Sequence, residues 1–285
     1  MSNLVKSTPP KIKLGKVGFF QYLVMGFITL VVFLPLLIIV LASLKTLPEI
    51  SQMTPWALPQ SFYLGNFAET FVKAKIVLSL INSLIIALSS VIINAVIGAM
   101  AAFILARFDF KFKNMVLGMF LVAMVIPFYT VEIARFQLIK SMGLYNTLVA
   151  PILIYIGADM MQIFVYKQYM DKISVSLDES AMLDGASYLR IFTGIIFPLI
   201  IPAVATLAII KFVDITNDMY IPYLYIPSDK FRTLTTTLMT FAGDRSVNWA
   251  SISACIIWIL IPTLLVYFSF QKYILEGITA GSIKE

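Results

Sequence analysis

The sequence predicts an all-α, polytopic membrane protein with six transmembrane helices, one short cytoplasmic helix between the fourth and fifth, and both termini inside. Three observations carry this. Of the 285 residues 60% are hydrophobic and only 13% charged, with a mean hydropathy of +0.93; soluble domains carry about a quarter charged residues. Runs of uncharged residues long enough to cross roughly 30 Å of hydrocarbon recur along the chain. Lys and Arg gather in alternate connections, as cytoplasmic flanks do.

The expected spans follow in order. Residues 19–44 and 76–106 are unambiguous, and 114–131 is shorter but adequate. The fourth covers 141–158 and continues past Asp159 through 160–166; the fifth and sixth are 191–210 and 246–271. The first run exceeds the roughly 7–15 apolar residues of a signal-peptide core, so it reads as a retained helix. Lys6, Lys11, Lys13 and Lys16 precede it without an acid, which sets the N-terminal tail inside. Arg107, Lys111 and Lys113 mark the connection after span two as cytoplasmic, and Lys272 and Lys284 follow span six. The external loop 214–245 holds three basic and four acidic residues and argues neither way. Three regions result: a tail at 1–18, a six-helix membrane domain at 19–271 with a cytoplasmic loop at about 169–190, and a tail at 272–285.

Composition also excludes chemistry. There is no His and one Cys, Cys255, in an apolar run. Imidazole acid–base catalysis, Cys–His pairs and nearly every transition-metal site are thereby removed. No GxxxxGK[ST] phosphate loop occurs, so no ATP hydrolysis of that kind resides in this chain. The net charge of +6 fits cytoplasmic flanks of a membrane protein, not nucleic-acid binding.

Within the spans, Ala95, Gly98, Ala99 and Ala102 form one small-residue helix face, read as an intramolecular packing seam. Pro35, Pro127, Pro198, Pro202 and Pro262 are expected to kink their helices. Asp159 interrupts span four and Lys211 lies near the outer end of span five. Ionisable groups at such depth cost at least about 2.5 kcal/mol unless paired or wetted. Three readings stay open: a structural ion pair, an aqueous substrate path, or a Lys reaching outward to the interface. Near the outer mouth, Asp214, Asn217, Asp218, Tyr220, Tyr223 and Tyr225 suit sugar hydroxyls and ring faces, a protein docking surface, or an interfacial aromatic belt.

The most informative stretch is DESAMLDGASYLRIFTGIIFPLIIPAV, residues 178–204. Ser176 and Glu179 have capping-box spacing, and two acids in a first turn suit the helix dipole. Gly185 then permits a bend before the chain re-enters the membrane. An acid-rich start with few basic residues favours a protein partner over lipid headgroups.

This run resembles the cytoplasmic loop motif of ABC importer permeases: EAA, three residues, Gly, nine residues, Ile, one residue, Leu-Pro. Here Glu179, Ser180, Ala181, Gly185, Ile195 and Phe197–Pro198 match in spacing, with Ser180 and Phe197 as modest departures, and Asp184–Gly185–Ala186 matches an extended form. NSLIIAL and AAFILARFDF between 82 and 110, GLYNTL at 143–148, IFVYKQYMDKIS at 163–174, Asn217–Asp218 with Pro222 (Thr216 standing where the family has Trp), and the tail QKYILEGITAGSIKE are similar to the maltose-type second permease family in the same order.

The resemblance implies a non-enzymatic subunit of a sugar importer in a prokaryotic plasma membrane, embedded in lipid. A second permease, two ATPases that bind ATP and Mg, and an extracellular sugar-binding protein would complete it, with a carbohydrate as cargo and no cofactor on this chain. Glu179, Ser180, Ala181, Asp184 and Gly185 would form the coupling helix that meets the ATPase. The rival is an ion-coupled carrier or channel using Asp159 and Lys211, disfavoured because no internal repeat relates the two halves. A membrane-bound enzyme is disfavoured by the missing His and catalytic carboxylate clusters.

Overall fold

A computed structural model describes residues 16–242 and 248–280. The described residues contain helices and no strand: α1 (Lys16–Ser43), α2 (Leu47–Gln52), α3 (Gly65–Lys73), α4 (Ile76–Arg107), α5 (Lys113–Val125), α6 (Glu132–Ser141), α7 (Val149–Tyr155), α8 (Met160–Asp171), α9 (Ser176–Leu183), α10 (Tyr188–Ile191), α11 (Phe197–Asn217), α12 (Tyr220–Tyr225), α13 (Met239–Ala242) and α14 (Trp249–Ala280). Closed backbone bonding of this kind is what hydrocarbon demands of a spanning chain.

Four runs are long and apolar enough to cross a membrane: Gly18–Ser43, Ile76–Arg107, Tyr188–Asn217 and Trp249–Ser269. Two further crossings require bent pairs. Lys113–Val125 and Phe128–Ser141 meet at 97°, and Val149–Tyr155 and Met160–Asp171 at 54°. The total is four to six. Uncharged length alone does not show these bends. In the first pair the α-helix stops at Val125, before Pro127 and a 3₁₀ turn at Phe128–Val131. Ser141 closes α6, and Gly143 (φ 71) and Asn146 (φ 59) then turn the chain back toward α7. Residues in the left-handed region end helices however apolar their neighbours are.

The packing core lies between α4, α8 and α11. Ala95, Ala99 and Ala102 of α4 are buried against Ile163, Tyr166 and Met170 of α8 and against Ile191, Ile196, Ile200 and Ala203. The small-residue face is thus an intramolecular seam, where close approach gains dispersion contacts. Gly98 shows how tight it is. A Cβ there would lie 2.5 Å from Cδ of Gln162. By contrast α1 packs on α14, and its apolar window buries nothing in the subunit.

The prolines do less than expected to helix continuity: α1, α11 and α14 run through Pro35, Pro202 and Pro262. Before Pro198 the chain forms a π turn, Phe192–Ile196, with Phe197 N–H donating to the Phe192 carbonyl. The wider turn relaxes the backbone where proline would otherwise crowd the preceding turn.

Candidate functional site

The motif folds as the eight-residue α9, a four-residue gap and α10, which runs through the π turn into α11. The expected Ser176–Glu179 capping box does not form. Ser176 is already helical, its Oγ pairs with Ser174 Oγ at 2.8 Å, and backbone carbonyls of Ser174 and Val175 take the first amides instead. The tight entry turn satisfies those donors without a side chain. The Glu179 side chain is exposed, without a hydrogen bond or ion pair among the described residues.

The C-terminus follows the motif closely. Gly185 takes φ 80, Ala186 N–H donates to Ala181 O at 2.9 Å, and Gly185 N–H to Met182 O at 3.0 Å. These two bonds define a Schellman cap with glycine at the left-handed position. Ala181 and Ala186 pack on the main core. Ser180 and Asp184 are exposed beside Leu177, Met182 and Leu183, the last 90% exposed. The short helix and its cap thus turn Ala181 and Ala186 inward and an acidic and apolar face outward.

What pins α9 was invisible in the motif. Arg107, at the end of α4, brings Nε to 2.6 Å from Oδ2 of Asp178, with the two side chains 8% and 6% exposed. A second guanidinium nitrogen donates to Ile173 O at 2.9 Å. Nε and Oδ1 make no aligned hydrogen bond, so the contact is primarily charge on charge. Asp178 read as a dipole-friendly first-turn acid; its partner lies 71 positions earlier, and no spacing rule connects the two.

Asp159 and Lys211 lie on the wall of one cavity of about 120 Å³, together with Asn94, Gln162 and Asp214, and no ion pair within 4.0 Å joins them. Asp159 sits where the bent pair α7–α8 breaks, and its Oδ1 accepts from Gln162 N–H at 2.8 Å as an N-cap. The carbonyls freed at the break are served by Asn94 of α4, whose amide donates to Ile156 O at 3.2 Å and Gly157 O at 2.7 Å. Gln162 Nε2 in turn donates to Asn94 Oδ1 at 2.8 Å. Asn94 and Gln162 were detectable as amides within apolar runs.

At the other end, Asp218 organises the connection after α11. Its carboxylate accepts from Tyr155 OH at 2.7 Å and from Tyr220 N–H at 2.7 Å, and its carbonyl from Thr235 at 2.9 Å. Tyr225 is buried and donates to Glu132 Oε1 at 2.6 Å, while Arg135 holds the other oxygen at 3.0 Å. Asn217, Tyr220 and Tyr223 are exposed on this end, with Tyr220 against Tyr129 at a 5.0 Å centroid distance.

Residues 94–279 match the profile of the family described as "Binding-protein-dependent transport system inner membrane component". The chain belongs to this family. It is 31% identical over 254 residues to the melibiose/raffinose/stachyose import permease protein MelC of Bacillus subtilis, covering 88% of this chain and 91% of that one. A probable starch degradation products transport system permease, AmyC of Thermoanaerobacterium thermosulfurigenes, is 32% identical with the same coverages. Among solved structures the fold is similar to a bacterial ABC transporter that imports the acidic polysaccharide alginate (TM-score 0.78, 19% identity, 93% of this chain and 99% of that one). A second alginate transporter structure, in complex with an alginate pentasaccharide-bound periplasmic protein, gives a TM-score of 0.62 at 17% identity over 90% and 94%. As a family member the chain is an inner membrane component.

Proposed function

We propose that this chain is one permease of an ATP-driven carbohydrate importer, forming the translocation path with a second permease and coupled through α9 to two cytoplasmic ATPases. Six crossings with both termini inside, and a periplasmic sugar-binding protein docking near Asn217, Asp218, Tyr220 and Tyr223, belong to the same reading. ATP and Mg reside on the ATPases. The carbohydrate class is supported by relatives named for melibiose, raffinose, stachyose and starch products.

One observation carries the coupling: an exposed acidic and apolar helix fixed to the bundle at both ends. Arg107 ties its start to α4, and the Gly185 cap turns its end toward α11. A force on Glu179, Ser180, Asp184 or Leu183 therefore reaches two spanning helices instead of being absorbed in a loop. Co-expression of all subunits tests this. Glu179→Lys should abolish ATPase co-purification and uptake while the permease still inserts; intact uptake sinks the assignment. Uptake that survives vanadate and collapses with a protonophore would favour the ion-coupled alternative.

A further inference from the structure

We propose that the cavity at the α7–α8 break is a hydroxyl-contact site for the transported carbohydrate, held by Asp159, Gln162, Lys211 and Asp214. The proposal rests on the importer reading and deepens it.

The cavity opens where a spanning segment is discontinuous, between Tyr155 and Met160, with irregular backbone at Gly157–Asp159. Non-helical backbone at membrane depth is stable only when buried in protein or lining a wet cavity. Here Asn94 serves two of the freed carbonyls, and Asp159 is exposed instead of buried. The two acids and one ammonium that share this wall form no ion pair with one another or with any described residue. Had the role been purely structural, mutual neutralisation would be the cheapest arrangement in an apolar span.

Gln162 supplies the second, independent observation. It is 5% exposed and lines the cavity, and its Oε1 has no hydrogen-bond partner although Nε2 is bonded to Asn94. An orphaned buried acceptor costs roughly 1–3 kcal/mol, so a donor supplied from outside the subunit would stabilise the site. Its orientation is enforced, since Gly98 lies so close that a Cβ there would meet Gln162.

The complement is specific in kind. Two carboxylates and an amide oxygen accept, and an ammonium donates; a sugar hydroxyl both donates and accepts. A metal cation would leave Lys211 opposed, and an apolar solute would leave every group unpaired. A volume of about 120 Å³ holds roughly four waters. It fits the hydrated edge of one sugar unit, so the rest of a longer saccharide would lie beyond this wall.

The test exploits the single cysteine, Cys255, which is buried. In a Cys255→Ser background, Lys211→Cys is placed in the complete importer in proteoliposomes. It is reacted with a water-soluble, membrane-impermeant methanethiosulfonate, with and without whichever of raffinose, maltotriose or stachyose the importer takes up fastest. Labelling that the sugar, its binding protein and ATP slow severalfold is the expected result. An unreactive thiol, or labelling indifferent to a transported sugar, overturns the proposal. Asp159→Asn provides a second readout: uptake should fall roughly tenfold or more while binding-protein-stimulated ATP hydrolysis persists; equal loss of both refutes a contact role. An importer that takes up none of the panel removes the carbohydrate reading itself, a pattern distinct from failed protection.

Discussion

Arg107 and Asp178 form a buried ion pair that joins the last residue of α4 to the first turn of α9, with Nε 2.6 Å from Oδ2. The pair links a membrane-spanning helix to the helix proposed to meet the ATPase. Leaving one member of a buried pair alone costs about 3–5 kcal/mol, because the survivor stays desolvated without compensation. Arg107→Gln and Asp178→Asn should therefore each lower the thermal transition of the purified subunit and reduce the ATP-coupled uptake rate. Arg107→Met combined with Asp178→Leu should recover stability more than coupling. Double-mutant thermal melts alongside uptake assays check this, and additive losses would show that the pair is not a unit.

Gly185 tests the cap. Its φ of 80 favours glycine, yet the site is open, with no heavy atom within 4 Å of a built Cβ. The cost of a side chain there is purely conformational, about 1–2 kcal/mol for alanine and more for a β-branched residue. Uptake should decline in the order Gly, Asn, Ala, Val, since Asn tolerates the left-handed region. A Val variant transporting as well as the native chain would show that the α9–α10 bend has no functional geometry to protect.

Gly98 tests the seam. A Cβ would lie 2.5 Å from Cδ of Gln162 and 2.6 Å from its Nε2, and Gln162 is locked to Asn94. Gly98→Ala should force the amide aside and destabilise the bundle by about 1–3 kcal/mol. Combining it with Gln162→Ala should cost less than the sum of the two, read as a shift in thermal transition in detergent.

The connection between α1 and α3 carries a pH prediction. Glu49 accepts from Thr46 N–H at 2.6 Å, Thr46 Oγ1 at 2.8 Å and Gln60 N–H at 2.8 Å. These bonds, the Thr46 amide foremost, hold its carboxyl below the usual 4.5. A depressed folded pKa adds stability above the unfolded value, and that stability is lost as pH falls through the folded one. Proteolysis of residues 53–63 should therefore quicken below about pH 4.5, whereas Glu49→Gln should be open already at neutral pH and respond little to acid.

Much of the site was legible in sequence because it is local. The Gly185 cap, the alanines that pack inward and the exposed Glu179 all lie within one short run of residues, and backbone rules operate at that range. The capping box at Ser176 was misread because an entry turn one residue earlier already satisfied the same amides. Asp159 stands out in the sequence as a charge within an apolar run, but its service as the N-cap of a broken helix depended on a break that uncharged length concealed.

By itself the sequence determined the helical class, the apolar stretches, the small-residue face of α4 and the motif that marks α9. The tertiary structure alone decided three things: where the α5–α6 and α7–α8 pairs bend, that Arg107 is the partner of Asp178, and that Asn94 and Gln162 close the α7–α8 break. The physical reason is that lipid is as apolar as a protein core. Hydropathy therefore cannot separate a face that meets lipid from one that meets protein. Buried polar partners, set by how distant helices stack, make that distinction.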